Sequence, residues 1–391
     1  MRLIPDEERR SRLAVRHLLA PGANAPSVVS AAEAMCGLHA SDPATVYLAA
    51  RARVEDLVVS DLETALYETR SIARVLGMRR TMFVVPSPLV SLLQSGCVDV
   101  MAPRERRRLV TWIEQAEIAP DGNDWLAGVE AATLSAIEAR GEATAVELSE
   151  DVPELKEKIS FGEGKSWAGQ VGLSTRVLFL LATQGRILRG RPLGSWTSSQ
   201  YRWVPMSWLF PQGLVSLPAG QARERLAERW LASFGPGTAE DLKWWTGWTK
   251  TQVAAALDGI GAVAVETTAG PAFVLPDDME AVSVPDPWVA LLPSLDPTVM
   301  GWRNREWYLG DQAPALFDRN GNAGPTVWCN GRVVGGWAQQ SGGEVVYRLL
   351  EDIGTEETRA VEEAAAALTA WLGPTRITPR FRTPLEKTVH A

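Results

Sequence analysis

The sequence predicts an α+β chain: three tandem winged helix-turn-helix units, then a small C-terminal β-barrel domain, together an extended and curved body. Three observations predict it. One order of elements, helix, helix, turn, helix and β-hairpin, recurs three times along the chain. From about Trp288 the texture turns strand-rich. At 391 residues the chain is also too long for one ordinary core and calls for several packed units. The expected boundaries are 1–123, 124–216 and 217–285 for the winged units, the first with its linking helices, and 286–391 for the barrel domain with one helix and a basic tail.

In the first unit, helices flank His39, DLETALYET (61–69) reads as a further helix, and ARVLGM–RR–TMFVVP reads as strand, tight turn, strand. The second unit runs from NDWLAGVEAATLSAIEARG through EATAVELSE to the apolar helix VGLSTRVLFLLATQG, with ILRGR and QYRWVP as arms of a hairpin around GSWTSS. The third shows the pattern most cleanly. QARERLAERWLASF leads to a Gly-Pro-Gly break, Thr238 is a good N-cap for the next helix, and Thr249 or Thr251 starts the third. AVAVE and PAFVLP then alternate as two strands. Beyond Trp288, WVALLPSLDP, PTVWCNGRVVGGW and GEVVYRLL are strand-like, with Asn330-Gly331 a strong hairpin turn. TEETRAVEEAAAALTAWLG is an amphipathic helix stopped by Gly373-Pro374, and the basic tail TRITPRFRTPLEK either returns as a last strand or stays mobile. The 16 tryptophans are expected mostly in the core, and of Trp244 and Trp245 at most one can face solvent.

Composition narrows the class. With 46% hydrophobic and 22% charged residues the chain reads as soluble and globular, and no apolar run approaches the roughly 18–20 residues of a membrane span. No secretion signal is apparent at the N-terminus. Cys36, Cys97 and Cys329 are scattered, and His17, His39 and His390 have no metal-ligand spacing, so no metal or cofactor is expected and a reducing cytoplasm fits. The net charge of −8 hides segregation: residues 70–110 carry eight arginines against Asp99 and Glu105. Such a patch gives an acidic protein a basic face. A GC-rich genome, which favours arginine codons, accounts equally well for the arginine bias. Arginines of the first wing (Arg74, Arg79, Arg80), of the following segment (Arg104, Arg106, Arg107) and of the second wing (Arg186, Arg189, Arg191) make DNA the preferred partner, through phosphate contacts that carry little sequence information.

The motif GLHASDP (37–43) concentrates the chemistry. Asp42 fits as an N-cap with Pro43 in the first helical position, so the preceding helix is expected to end by about Ala40. Residues 39–41 then fall in a turn, where side chains two apart point the same way, and His39 and Ser41 can address one cavity. A histidine at a helix end followed by a serine is equally a common structural arrangement.

Taken in order, GLHASDP, RVLGMRRTMFVVP, GPGTAEDLKWWTG, LLPSLDPTVMGWRNREWYL and PTVWCNGRVVGGW resemble the AlkZ/YcaQ family of winged-helix DNA glycosylases over nearly the whole chain. The resemblance implies a concave DNA-binding body that excises alkylated purines, in some members including crosslinks or bulky genotoxin adducts. The family's catalytic motif is similar to GLQAQDP; its two glutamines fall on His39 and Ser41, which become the expected catalytic pair. An N3- or N7-alkylated purine is cationic and leaves neutral, so the enzyme need only hold a water at the anomeric carbon. A neutral imidazole, with an ordinary pKa near 6.5, can accept a proton there. Because no lysine precedes Lys156, a Schiff-base lyase step from the first unit is not expected, and the chain reads as a monofunctional, monomeric glycosylase acting on double-stranded DNA. Asp296-Pro297 and Trp302-Arg303 fall in a further family-like segment, where Arg303 reads as a turn residue or DNA contact; the polar, Gly-rich loop DRNGNAG, with Arg319 and Asn320, reads by its composition as a solvated turn or a hairpin tip entering a groove. The alternative from another class is a non-catalytic winged-helix DNA-binding or regulatory protein that keeps the scaffold without the glutamine pair.

Overall fold

The computed structural model describes residues 1–161 and 169–390; residues 162–168 of the expected second winged unit lie outside the described residues. In chain order come helices Asp6–Arg16 and Val28–Ala34, strand β1 (Leu38–His39), helix Pro43–Arg51, helix Val59–Glu63 continuing as a π turn to Glu68, and strands β2 (Ile72–Leu76) and β3 (Met82–Pro86). Helices Ala102–Gln115, Gly122–Arg140 and Ala145–Asp151 follow, then β4 (Lys158–Phe161), β5 (Gly169–Gly172), helix Leu173–Thr183, β6 (Ile187–Pro192) and β7 (Tyr201–Pro205). The third repeat is Ala219–Phe234, Ala239–Thr246, Lys250–Gly259, β8 (Val263–Thr267) and β9 (Gly270–Val274). Strands β10 (Val289–Leu292), β11 (Thr326–Cys329), β12 (Arg332–Gln339) and β13 (Val345–Leu349) precede helices Thr355–Leu372 and Pro384–His390. No helix among the described residues is long and apolar enough to cross a membrane.

The chain divides into two compact units. One comprises Met1–Ala73, Phe83–Pro86 and everything from Arg223 onward; the other comprises Arg74–Met82 and Ser87–Ala222. The expected segment 124–216 lies inside the second of these, while 217–285 begins in the second and continues in the first.

The cores of the two units differ in chemistry. In the Ser87–Ala222 unit the core is aliphatic: Leu109, Ile113, Leu126, Ile137, Leu148, Leu173, Val177, Leu181 and Ile187 are buried together. Antiparallel pairing of β6 with β7, Leu188 opposite Val204, makes the expected hairpin. Thr144 caps helix Ala145–Asp151 in a capping box with Glu147.

The other unit is held by aromatic rings. Phe234 meets Trp302 edge-on at 5.2 Å, Trp302 meets Trp307 at 5.1 Å, and Tyr308 stacks on Trp328 at 5.3 Å. Thr238 and Thr249 both cap their helices, each in a capping box, and β8 pairs with β9 as a hairpin. Trp245 is buried, while Trp244 is half-buried under the Arg305 guanidinium. At the C-terminal end, where the sequence predicts the barrel, an antiparallel sheet runs in the order β10-β11-β12-β13. Asn330 and Gly331, at φ 49° and 81°, form the expected β11–β12 turn. The tail does not return as a strand: Ile377 donates its N–H to the buried Gln339 side chain, and residues 384–390 form helix Pro384–His390, packed on β12.

One polar chain crosses the aromatic core. His17, 0% exposed, has Nε2 3.2 Å from the Ser233 carbonyl and Nδ1 2.9 Å from Thr298 Oγ1. The carbonyl can only accept, so the ring proton sits on Nε2 and Thr298 donates to Nδ1. Burial, aided by the nearby Arg53 charge, pushes the His17 pKa well below the usual histidine value. The unfolded chain therefore takes up a proton below about pH 6.5 that the folded chain does not, so this contribution to stability is present above that pH and is lost as pH falls. Between about pH 6.5 and 5.5 stability is expected to fall by about 1 kcal/mol more in the wild type than in His17→Gln, read from urea midpoints. Equal pH slopes in the two proteins would contradict this.

Candidate functional site

The turn around His39 is built by three local devices. Helix Val28–Ala34 stops in a Schellman arrangement: Gly37 N–H donates to Ala32 O and Cys36 N–H to Glu33 O, with Cys36 at φ 50° and Gly37 at φ 107°. The helix thus ends at Ala34, inside the expected limit of about Ala40, at the left-handed Cys36-Gly37 pair well before the residue ahead of Pro43. Gly37 is required twice, since a Cβ there would sit 2.7 Å from Val85 Cγ1 as well as forcing a left-handed side chain. The second device is β1, in which Leu38 pairs with Val84 and His39 with Phe83 of β3. His39 is therefore a strand residue. The third is the N-cap: Asp42 Oδ1 accepts the Ala44 N–H at 3.1 Å, with Pro43 opening the helix as expected.

The Ser41 N–H points at His39 Nδ1 over 3.4 Å, and the imidazole meets the Phe83 ring edge-on at 5.1 Å. His39 is 5% exposed and Ser41 half-buried. With Nδ1 as acceptor, a neutral ring carries its proton on Nε2. The helix that follows is pinned at both ends to one segment. Thr45 Oγ1 donates to Ser294 O at 2.7 Å, and Arg53 forms a bidentate pair with Asp296 at 2.9 and 2.7 Å.

In the same unit, Arg303 is exposed and its N–H, with that of Asn304, caps the buried Asp241 carboxylate at 2.8 and 2.9 Å. Its guanidinium lies 3.5 Å from Glu240, which supports the turn reading of this residue. Arg319 and Asn320 are exposed on a loop organised by Asp318. Partial burial pushes the Asp318 carboxyl up, but hydrogen bonds from the Asn322 side chain and the backbone N–H groups of Asn322, Asn320 and Gly321 outweigh it and hold it below the usual range.

The arginines of the other unit divide by environment. Arg79 and Arg80 occupy the turn after β2, both at positive φ, with Arg80 paired to Glu105 at 2.9 Å and lying over Phe179. Arg104, Arg107, Arg186 and Arg191 are exposed, and Arg189 is half-buried over Tyr201 and Trp203. Arg106 is engaged by Glu130 and Asn123. Arg74 departs from a surface role: it is 1% exposed and stacks on Tyr201, because its register opposite Arg189 on β6 places it within the sheet's packing. Two further cations stand out: Arg108, one of the eight arginines of residues 70–110, and Arg176, which no sequence signal singles out. Arg108 and Arg176 both lie over Trp112, and burial together with the Arg108 and Arg80 charges lowers the Arg176 pKa. A third, Arg380 of the first unit, donates its backbone N–H to Asp42 Oδ2 at 2.8 Å. The arginine-rich tail is visible in the sequence, but its partner lies 338 positions away.

Among the described residues no group of histidine, cysteine and carboxylate side chains is arranged to hold a metal. All three cysteines are buried.

Comparison with known proteins supplies the remaining finding. The family model described as DNA glycosylase AlkZ-like matches residues 32–371. Among solved structures, that of the Streptomyces sahachiroi DNA glycosylase AlkZ is similar, with a TM-score of 0.71 and 19% identity, covering 96% of this chain and 98% of that one. No curated protein matches the sequence.

Proposed function

The chain belongs to the AlkZ-like DNA glycosylase family, and from that premise we propose that it hydrolyses the N-glycosidic bond of alkylated purines in double-stranded DNA, with His39 and Ser41 as the water-holding pair. The observation that carries this reading is the 39–42 turn itself. Strand pairing to Phe83, the Asp42 cap and the contact of the Ser41 backbone N–H with Nδ1 fix the imidazole against the backbone of Ser41, at the two motif positions onto which the family's glutamines fall. An N7- or N3-alkylated purine departs with the electron pair of the C1′–N bond and becomes neutral, so no strong general acid is required. A water that takes the place of the long Ser41 N–H contact at His39 Nδ1, held also by Ser41, bonds to C1′ as the base leaves with the electron pair of the C1′–N bond, and its proton passes to that unprotonated ring nitrogen. Surface arginines of both units supply phosphate contacts, Arg79, Arg80, Arg104, Arg107, Arg186 and Arg191 in one and Arg319 with Asn320 in the other. The product is an intact strand with an abasic site, and the protein works as a cytoplasmic monomer; bulky genotoxin adducts belong to the same substrate class.

The test uses excess protein on a duplex containing N7-methylguanine, and a second duplex with a bulky N7-guanine adduct. The expected result is strand scission on heating in alkali, and none before alkali. A second reading, a DNA-binding protein without chemistry, is favoured by the burial of His39 against Phe83. Salt-sensitive binding to both duplexes with scission of neither would establish that reading instead.

A further inference from the structure

The C-terminal tail is built as a strap over the candidate turn. Gln339 reads its backbone twice, donating from Nε2 to Thr375 O at 3.0 Å and accepting the Ile377 N–H at 2.9 Å. Arg376 grips the neighbouring hairpin loop through Ser341 O and Gly342 O. On the far side Thr383, Leu385 and Glu386 are buried. Holding such a stretch in one conformation costs chain entropy, which these anchors on both sides offset.

Between the anchors lies Arg380. Its backbone N–H donates to Asp42 Oδ2 while Asp42 Oδ1 caps the following helix, so both carboxylate oxygens are used to fix the turn. Its exposed guanidinium donates from Nη1 to the Ser41 carbonyl at 3.3 Å. That contact takes one of five N–H donors on a planar fork suited to phosphate. Arg382 of the same strap differs, being neutralised by a two-point pair with Glu386 at 2.8 and 2.9 Å.

We propose that Arg380 is a phosphate-binding residue of the site, carried on a strap that also locks the turn of His39 and Ser41. This rests on the reading of that turn as the place where a damaged nucleotide's sugar lies. Such a nucleotide carries a phosphate on either side of its sugar, and the guanidinium beside Ser41 stands ready to receive one. The backbone bond to Asp42 survives any side-chain change, so the two roles separate experimentally.

The experiment measures duplex affinity for the wild type, Arg380→Gln and Arg380→Lys, using DNA with a tetrahydrofuran abasic-site analogue, across about 50–200 mM salt. Arg380→Gln is expected to bind roughly ten-fold more weakly, with the slope of log affinity against log salt smaller by about one, and Arg380→Lys to recover the slope. Neutral methylphosphonates placed one at a time around the lesion should weaken the wild type at a phosphate to which Arg380→Gln is indifferent. An unchanged slope and an unchanged methylphosphonate profile in folded Arg380→Gln would overturn the proposal. Binding involves no bond cleavage, so that failure is distinct from a failure of the wild type to excise a base.

Discussion

Replacing His39 by alanine is expected to slow scission of N7-methylguanine DNA by about 10²- to 10⁴-fold under single-turnover conditions, the usual loss when a positioned proton-transfer group is removed. Ser41→Ala should cost less, because the Ser41 N–H that engages His39 Nδ1 belongs to the backbone and remains. Two controls separate chemistry from folding. The His39 ring packs on Phe83, so its removal also costs stability, and the unfolding midpoints of all variants are compared alongside rate. His39→Gln restores the amide that the resemblance places at this position, and it is expected to retain far more activity than His39→Ala. Scission that survives His39→Ala at the wild-type rate would remove His39 from the reaction.

The same turn shows what a sequence reveals and what it hides. Caps are written in adjacent residues: Asp42-Pro43, Thr238 with Asp241 and Thr249 with Gln252 announce their helices locally, and each stands where expected. The Asn330-Gly331 turn is local too. The left-handed Cys36-Gly37 pair ends helix Val28–Ala34, and the residue ahead of Pro43 sets only its outer limit. Other features have no local signal. His39 becomes a strand residue through Phe83, a partner 44 positions later, and the tail is fixed by Gln339 and Asp42 rather than by its own pattern. Arg74 resembles its exposed neighbours in composition, and only the register with Arg189 buries it.

The largest effect on stability is expected at the Arg53–Asp296 pair. Both side chains are 0% exposed, and burying two charges costs several kcal/mol per ion, offset only when every oxygen and N–H finds a partner. Here the offset is nearly complete. Arg53 donates twice to Asp296, once to Ala49 O and once to Thr298 Oγ1, and Asp296 Oδ1 also accepts the Thr298 N–H. Asp296→Asn keeps the volume but leaves the guanidinium charge uncompensated, and is expected to destabilise its unit by about 3–5 kcal/mol in urea unfolding followed by tryptophan fluorescence. Removing the charge as well, in Arg53→Met with Asp296→Asn, should recover part of that loss, which distinguishes an unpaired charge from lost packing. The consequence reaches the site through the helix Pro43–Arg51. Its far end, Arg51, lies two positions before Arg53, and Asp42 caps its near end. A helix loosened at Arg53 can shift the Asp42 cap and the Ser41 N–H that steadies His39. The single variant is therefore expected to lose excision rate at temperatures where it is still folded, and the double variant to regain it in step with stability. A single variant as stable as the wild type would mean that water reaches the pair and that the helix is held by Thr45 and its apolar face alone.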